Sequence, residues 1–114
     1  MANILLVGLE STIADELSRV LRQLGQSVQM AAQGIGAADP GDIQLIFAPE
    51  TDLAHIQRTC PGVPVIVVSR MPEVSSWLRA LEMGAADYCG APFEARNIRW
   101  ALNSSLAPAN RFAA

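Results

Sequence analysis

Few side chains in this sequence have both the type and the spacing to do chemistry. Glu50 and Asp52 stand two residues apart, Asp42 opens an apolar run, and Ser69 closes another. A carboxylate can attack phosphorus or hold a hard cation, and a hydroxyl becomes a nucleophile when a base stands beside it. Ser69 has no base near it in the sequence, so a hydrogen bond at a strand end is its expected role. Asp42 fits a turn at a strand edge, and Glu50 and Asp52 fit the first turn of a helix, where the dipole favours acids. The single histidine, His55, has no cysteine or second histidine nearby and reads as solvated or packed rather than as a metal ligand. The stretch "GIGAAD" from Gly34 resembles part of a dinucleotide fingerprint, but it lacks the third glycine and opens no helix. Cys60 and Cys89 are too few and too far apart for a disulfide framework or a metal centre. The residues therefore predict no catalytic group, no metal and no cofactor, and the protein is expected not to be an enzyme.

The elements that would position these residues alternate along the chain. "NILLVG" (3–8) is a short apolar run suited to a strand buried on both faces. Ser11 then offers an N-cap, and Ile13, Leu17, Val20, Leu21 and Leu24 recur at helical spacing until Gly25. "SVQMAA" reads as a second strand. The following "QGIGAADPGD" holds three glycines and a proline, so the helix expected after the second strand is short or missing. "DIQLIFA" is a third strand, Glu50 to Cys60 a helix, and Val63 to Ser69 a fourth strand rich in β-branched residues. "PEVSSWLRALEMG" places Val74, Leu78, Leu81 and Ala85 on one face, the face expected to meet the sheet. "DYCGA" is a fifth strand and "EARNIRWALNSSL" a last helix. Short apolar strands alternating with helices specify a doubly wound parallel sheet covered on both faces. Ligand sites in such sheets lie beyond the carboxyl ends of the strands, which here brings forward Gly8, Leu9, Glu10, Phe47, Ala48, Ser69 and Ala91.

Composition narrows the function classes. Hydrophobic residues make up 51% of the 114 and charged residues 17%, the opposite of a disordered chain. All eight basic residues are scattered arginines and the net charge is -3, which argues against a nucleic-acid surface. The apolar runs are too short to span a bilayer and the start lacks a signal-peptide pattern, so a cytoplasmic protein without membrane contact is expected. Residues 1–107 read as one domain and 108–114 as a tail or linker.

Three stretches, "NILLVGLES", "PVIVVSR" and above all "RALEMGAADYCGAPF", resemble the receiver domain of bacterial response regulators. The resemblance covers almost the whole chain. It implies a flavodoxin-like five-stranded sheet in the order 2-1-3-4-5 and a place in two-component signalling. The family's mechanism uses an aspartate after the third strand, an acidic pair that holds Mg²⁺, a hydroxyl after the fourth strand, and a lysine before a proline. In this chain the pair aligns with Gly8 and Leu9, with Glu10 beside it. The nucleophile aligns with Phe47, or with Ala48 on a register shifted by one, and the lysine with Ala91; only Ser69 keeps the family's residue type. The resemblance thus implies a degenerate receiver without phosphorylation chemistry, and a cis peptide before Pro92. A lysine with no phosphoryl group to neutralise would be an uncompensated charge at a strand end, and alanine avoids that cost.

What remains is surface. In the family, the face of the fourth helix, fifth strand and fifth helix meets partners, and Trp77, Tyr88 and Trp100 fall on or near it. Trp100 lies about 160° from Ile98 and Leu102 on a helical wheel and should point away from the sheet. Tyr88 aligns with the family's switch aromatic. The expected function is phosphorylation-independent binding of a protein partner, or of a second copy in a homodimer. The alternatives are a small-molecule-binding flavodoxin-like domain using the pocket the acids would have filled, and the atypical receiver of a pilus-assembly or localisation ATPase.

Overall fold

The computed structural model describes residues 3–31, 43–60, 62–69, 74–90 and 93–106. Strands β1 (Asn3–Val7), β2 (Ser27–Ala31), β3 (Leu45–Ala48), β4 (Val65–Ser69) and β5 (Asp87–Gly90) alternate with helices α1 (Ser11–Gln23), α2 (Leu53–Thr59), α3 (Val74–Glu82) and α4 (Ala95–Leu106). All neighbouring strands pair in parallel, in the order β2-β1-β3-β4-β5. This is the flavodoxin-like doubly wound sheet that the sequence predicts. The stretch read as one helix from Glu50 to Cys60 is a single 3₁₀ turn, Glu50–Asp52, followed by α2. The short or missing helix after β2, the peptide before Pro92 and the tail from 108 lie outside the described residues.

The continuous apolar strands are explained by two cores. Side chains alternate along a strand, so Ile4, Leu6, Leu45, Phe47, Ile66 and Val68 go to one face. Leu5, Val7, Ile46, Ala48, Val65 and Val67 go to the other. The first face is covered by Ile13, Leu17 and Leu21 of α1 with Ile98 and Leu102 of α4. The second is covered by Leu53 and Ile56 of α2 and by Ala80 of α3.

Helix α3 departs from expectation. Val74, Trp77, Leu78 and Leu81 are all exposed, at 68%, 43%, 50% and 38%, and Ala80 is the buried residue of the helix. Of the stripe read as sheet-facing, Ala85 is buried but Val74, Leu78 and Leu81 are turned to solvent, because Ser76 and Ala80, one turn apart, lie on the side that approaches the sheet. Small side chains let the helix pack close, whereas the leucine stripe would hold it away. A glycine-terminated motif fixes the end of α3: Gly84 sits at φ 98°, its N–H donates to Leu81 O at 3.0 Å, and Ala85 N–H donates to Ala80 O at 3.0 Å. Gln57 Nε2 donates to Met83 O at 2.8 Å and ties that end to α2.

Candidate functional site

The carboxyl ends of β1, β3 and β4 open into a cleft of about 500 Å³, with Tyr88 of β5 and Ser76 of α3 on its wall. It gathers Gly8, Leu9, Glu10 and Ser69, four of the positions brought forward from the sequence, together with Pro49, Glu50 and Thr51 from the turn after β3. Phe47 does not line it. Leu6 pairs with Phe47 across β1 and β3, and that register sends the Phe47 ring, 0% exposed, into the core beneath α1 and α4. Ala48 is equally buried on the opposite face of the sheet. Ala91 and Pro92 lie outside the described residues.

Gly8 lies at φ 66°, a left-handed conformation that residues with a β-carbon rarely take. A β-carbon built there would collide with Oδ2 of Asp52, so the Asp52 carboxylate occupies the space beside the first strand end. One acid of the 3₁₀ turn therefore caps Gly8. The other, Glu50, is held from α3: Arg79 Nε donates to Glu50 Oε1 at 2.6 Å and Nη2 donates to Oε2 at 3.0 Å. Those hydrogen bonds hold the Glu50 carboxyl below its ordinary value, against a smaller opposing effect of burial.

These residues do not fit the Mg²⁺ of the resembled family. Gly8 and Leu9 bring no side-chain oxygen, and among the described residues no group of three His, Cys, Asp or Glu stands close enough to hold a metal. Ser69 and the Tyr88 ring face a cleft walled by Ile13, Val67 and Val68.

The three aromatics do not form one patch. Trp100 is 72% exposed on α4, as its wheel position requires. It shares with Tyr88, Phe93 and Asn97 a groove of about 340 Å³ between β5 and α4, while Trp77 belongs to the α3 stripe. Tyr88 thus reaches both the cleft and the groove. Its neighbour Cys89 is partly buried, and desolvation of the thiol first, then the charge of Asp87, pushes it up to about 12.

No family model matches the sequence, and no curated protein matches it. Solved structures do. A response regulator receiver domain from Clostridium thermocellum superposes with a TM-score of 0.82 at 21% identity, covering 98% of this chain and 99% of that one. The chain has the receiver-domain fold. The receiver domain of NtrC4, solved as a beryllofluoride-activated dimer, is similar at a TM-score of 0.72 and 19% identity over 95% of this chain and 98% of that one. A pilus assembly protein (CpaE) of Burkholderia thailandensis is similar at 0.75 and 19% over 92% and 98%. At these identities the receiver likeness is one of architecture, and the residues of the site must speak for themselves.

Three features of the site were not read from the sequence: the solvent-facing stripe of α3, Asp52 over Gly8, and the Glu50–Arg79 pair. The first had a signal in Ser76 and Ala80, small residues at i and i+4 beside a tryptophan. The other two are pairings across 44 and 29 positions, which no local pattern encodes.

Proposed function

We propose that this domain is a cytoplasmic, receiver-like docking module that binds a protein partner or a second copy of itself without phosphorylation and without catalysis. The observation that carries the reading is the outward stripe of Val74, Trp77, Leu78 and Leu81 on α3, which with Trp100 of α4 flanks the edge strand β5. The α3 stripe presents four exposed apolar side chains side by side, the kind of surface that marks an interaction site. Spacing of i, i+3, i+4 and i+7 suits an opposing helix. The positions where the resembled family keeps its acidic pair and nucleophile hold glycine, leucine and buried apolar residues, which supports independence from phosphorylation. The NtrC4 receiver dimer is a precedent for pairing within this fold. The likeness to CpaE favours a second setting, a receiver-like module of a pilus-assembly or localisation machine, with the same face used for docking.

The test is an amide NMR series across protein concentration, with and without Mg²⁺ and beryllofluoride. Concentration-dependent shifts at Trp77, Leu78 and Trp100 with no response to the phosphoryl mimic are expected. Saturable shifts at Glu10, Ser69 and the end of β3 on adding the mimic would overturn independence from phosphorylation.

A further inference from the structure

We propose that the groove between α1 and the edge strand β2 is a binding site for a small carboxylate carrying an apolar body. It encloses about 420 Å³ and is lined by Asp15, Ser18, Arg19, Arg22, Gln23 and Met30. Residues three and four apart share a face of a helix, so Ser18 and Arg19 both neighbour Arg22. Leu6 pairs with Met30 across β1 and β2, which turns Met30 to the α1 face of the sheet, where it is half exposed. The groove thus offers two guanidinium groups to a carboxylate and a thioether to apolar carbons. Among the described residues neither Arg19 nor Arg22 is engaged in an ion pair. The end of α1 does not oppose an anion there, because Leu24, Gln26 and Gly25 N–H donate to the carbonyls of Val20, Leu21 and Arg22 at 3.1, 3.0 and 3.0 Å. Asp15 stands two turns from Arg22, about 10 Å along the helix, and disfavours a doubly charged phosphate more than a singly charged carboxylate.

An independent observation points to a ligand. Ser18 is only 2% exposed, and its hydroxyl has no hydrogen-bond partner among the described residues, although the residue lines the groove. A serine within a helix can bond back to the carbonyl four residues earlier, and Ser18 does not. A buried hydroxyl without a partner is costly, and a carboxylate oxygen is an acceptor for its O–H. Because Ser18 lies one turn before Arg22, one carboxylate would accept from the hydroxyl and a guanidinium together. β2 and β5 are opposite edges of the sheet, so the occupant would leave the α3 stripe uncovered.

The experiment is an amide NMR titration of the full chain with 3-phenylpropionate, run beside phenethylamine, of similar size and opposite charge, and beside inorganic phosphate. Saturable shifts at Ser18, Arg19, Arg22 and Met30 with 3-phenylpropionate alone are expected. Arg22→Gln, on an exposed position that touches neither core, should weaken binding roughly threefold to fivefold. Ser18→Ala should also weaken it while leaving the free protein at least as stable in thermal melts, because alanine removes the unbonded hydroxyl and favours the helix. Absence of saturable shifts with 3-phenylpropionate, an equal response to phenethylamine or phosphate, or undiminished binding when Arg19→Gln and Arg22→Gln are combined would each overturn the proposal.

Discussion

Arg79 on α3 grips Glu50, in the turn after β3, through two hydrogen bonds of 2.6 and 3.0 Å, tying to the sheet the helix whose apolar stripe faces water. The pair bridges the β3 end of the cleft and α3. Its arginine side chain is 60% exposed, so solvent screening keeps the gain small. Arg79→Ala should lower stability by about 0.5 kcal/mol or less in urea denaturation. Glu50 is held low in the fold, so its contribution is complete above the ordinary carboxylate value and is lost as pH falls through its lowered native value. A carbon-detected titration of the Glu50 carboxyl should move up towards its ordinary value in Arg79→Ala; an unchanged midpoint would mean the pair does not persist in solution.

Placing an acid at position 8 should fail for two reasons. The left-handed backbone disfavours any side chain by about 1 kcal/mol, and the β-carbon collides with Asp52. Gly8→Asp should therefore lose about 2 kcal/mol or more, Gly8→Ala somewhat less, and Asp52→Ala should recover part of either loss. Denaturation midpoints of the three single and two double variants check this; additive losses with no recovery would show that Asp52 does not fill the space.

Phe47 is the anchor of the core beneath α1 and α4. Phe47→Asp would bury an unpaired carboxylate and remove a large ring at once, for a loss of about 4 kcal/mol or more. The variant should be unfolded by circular dichroism at room temperature. A folded Phe47→Asp that accepts a phosphoryl mimic would mean that β3 is shifted against β1 by one residue.

Cys89 should be inert. With its thiol at about 12 it carries almost no thiolate at pH 8, so alkylation should be slow in the folded protein and fast in denaturant. The sign for stability follows: the unfolded thiol ionises near its ordinary value of 9.0 while the native one does not, so stability falls as pH rises from about 9 towards 12. Cys89→Ala should flatten that fall in a pH series of melting curves.

The parallel sheet was legible because the central strands β1, β3 and β4 are apolar at nearly every position, a pattern that only burial on two faces requires, as Leu5 and Leu6 illustrate. The outward Trp100 was legible because Ile98 and Leu102 fix which side of α4 faces in. Helix α3 was misread because two faces compete on it: Leu78 and Leu81 carry the stronger hydrophobic signal, but Ser76 and Ala80 offer the closer approach to the sheet. The site was only partly legible. Gly8, Leu9, Glu10 and Ser69 follow from strand ends, whereas Phe47 depends on a strand register that shifts every side chain by one face per residue. Asp52 and Arg79 act through tertiary neighbours and leave no local trace.

The outward stripe of α3 also sets how this protein answers to salt. Its apolar contacts strengthen in sulfate, while added electrolyte screens the net charge of -3 that keeps copies apart. Both effects favour association of copies, so a self-complex of the kind proposed for this face should tighten as ionic strength rises, the reverse of an interface built on ion pairs.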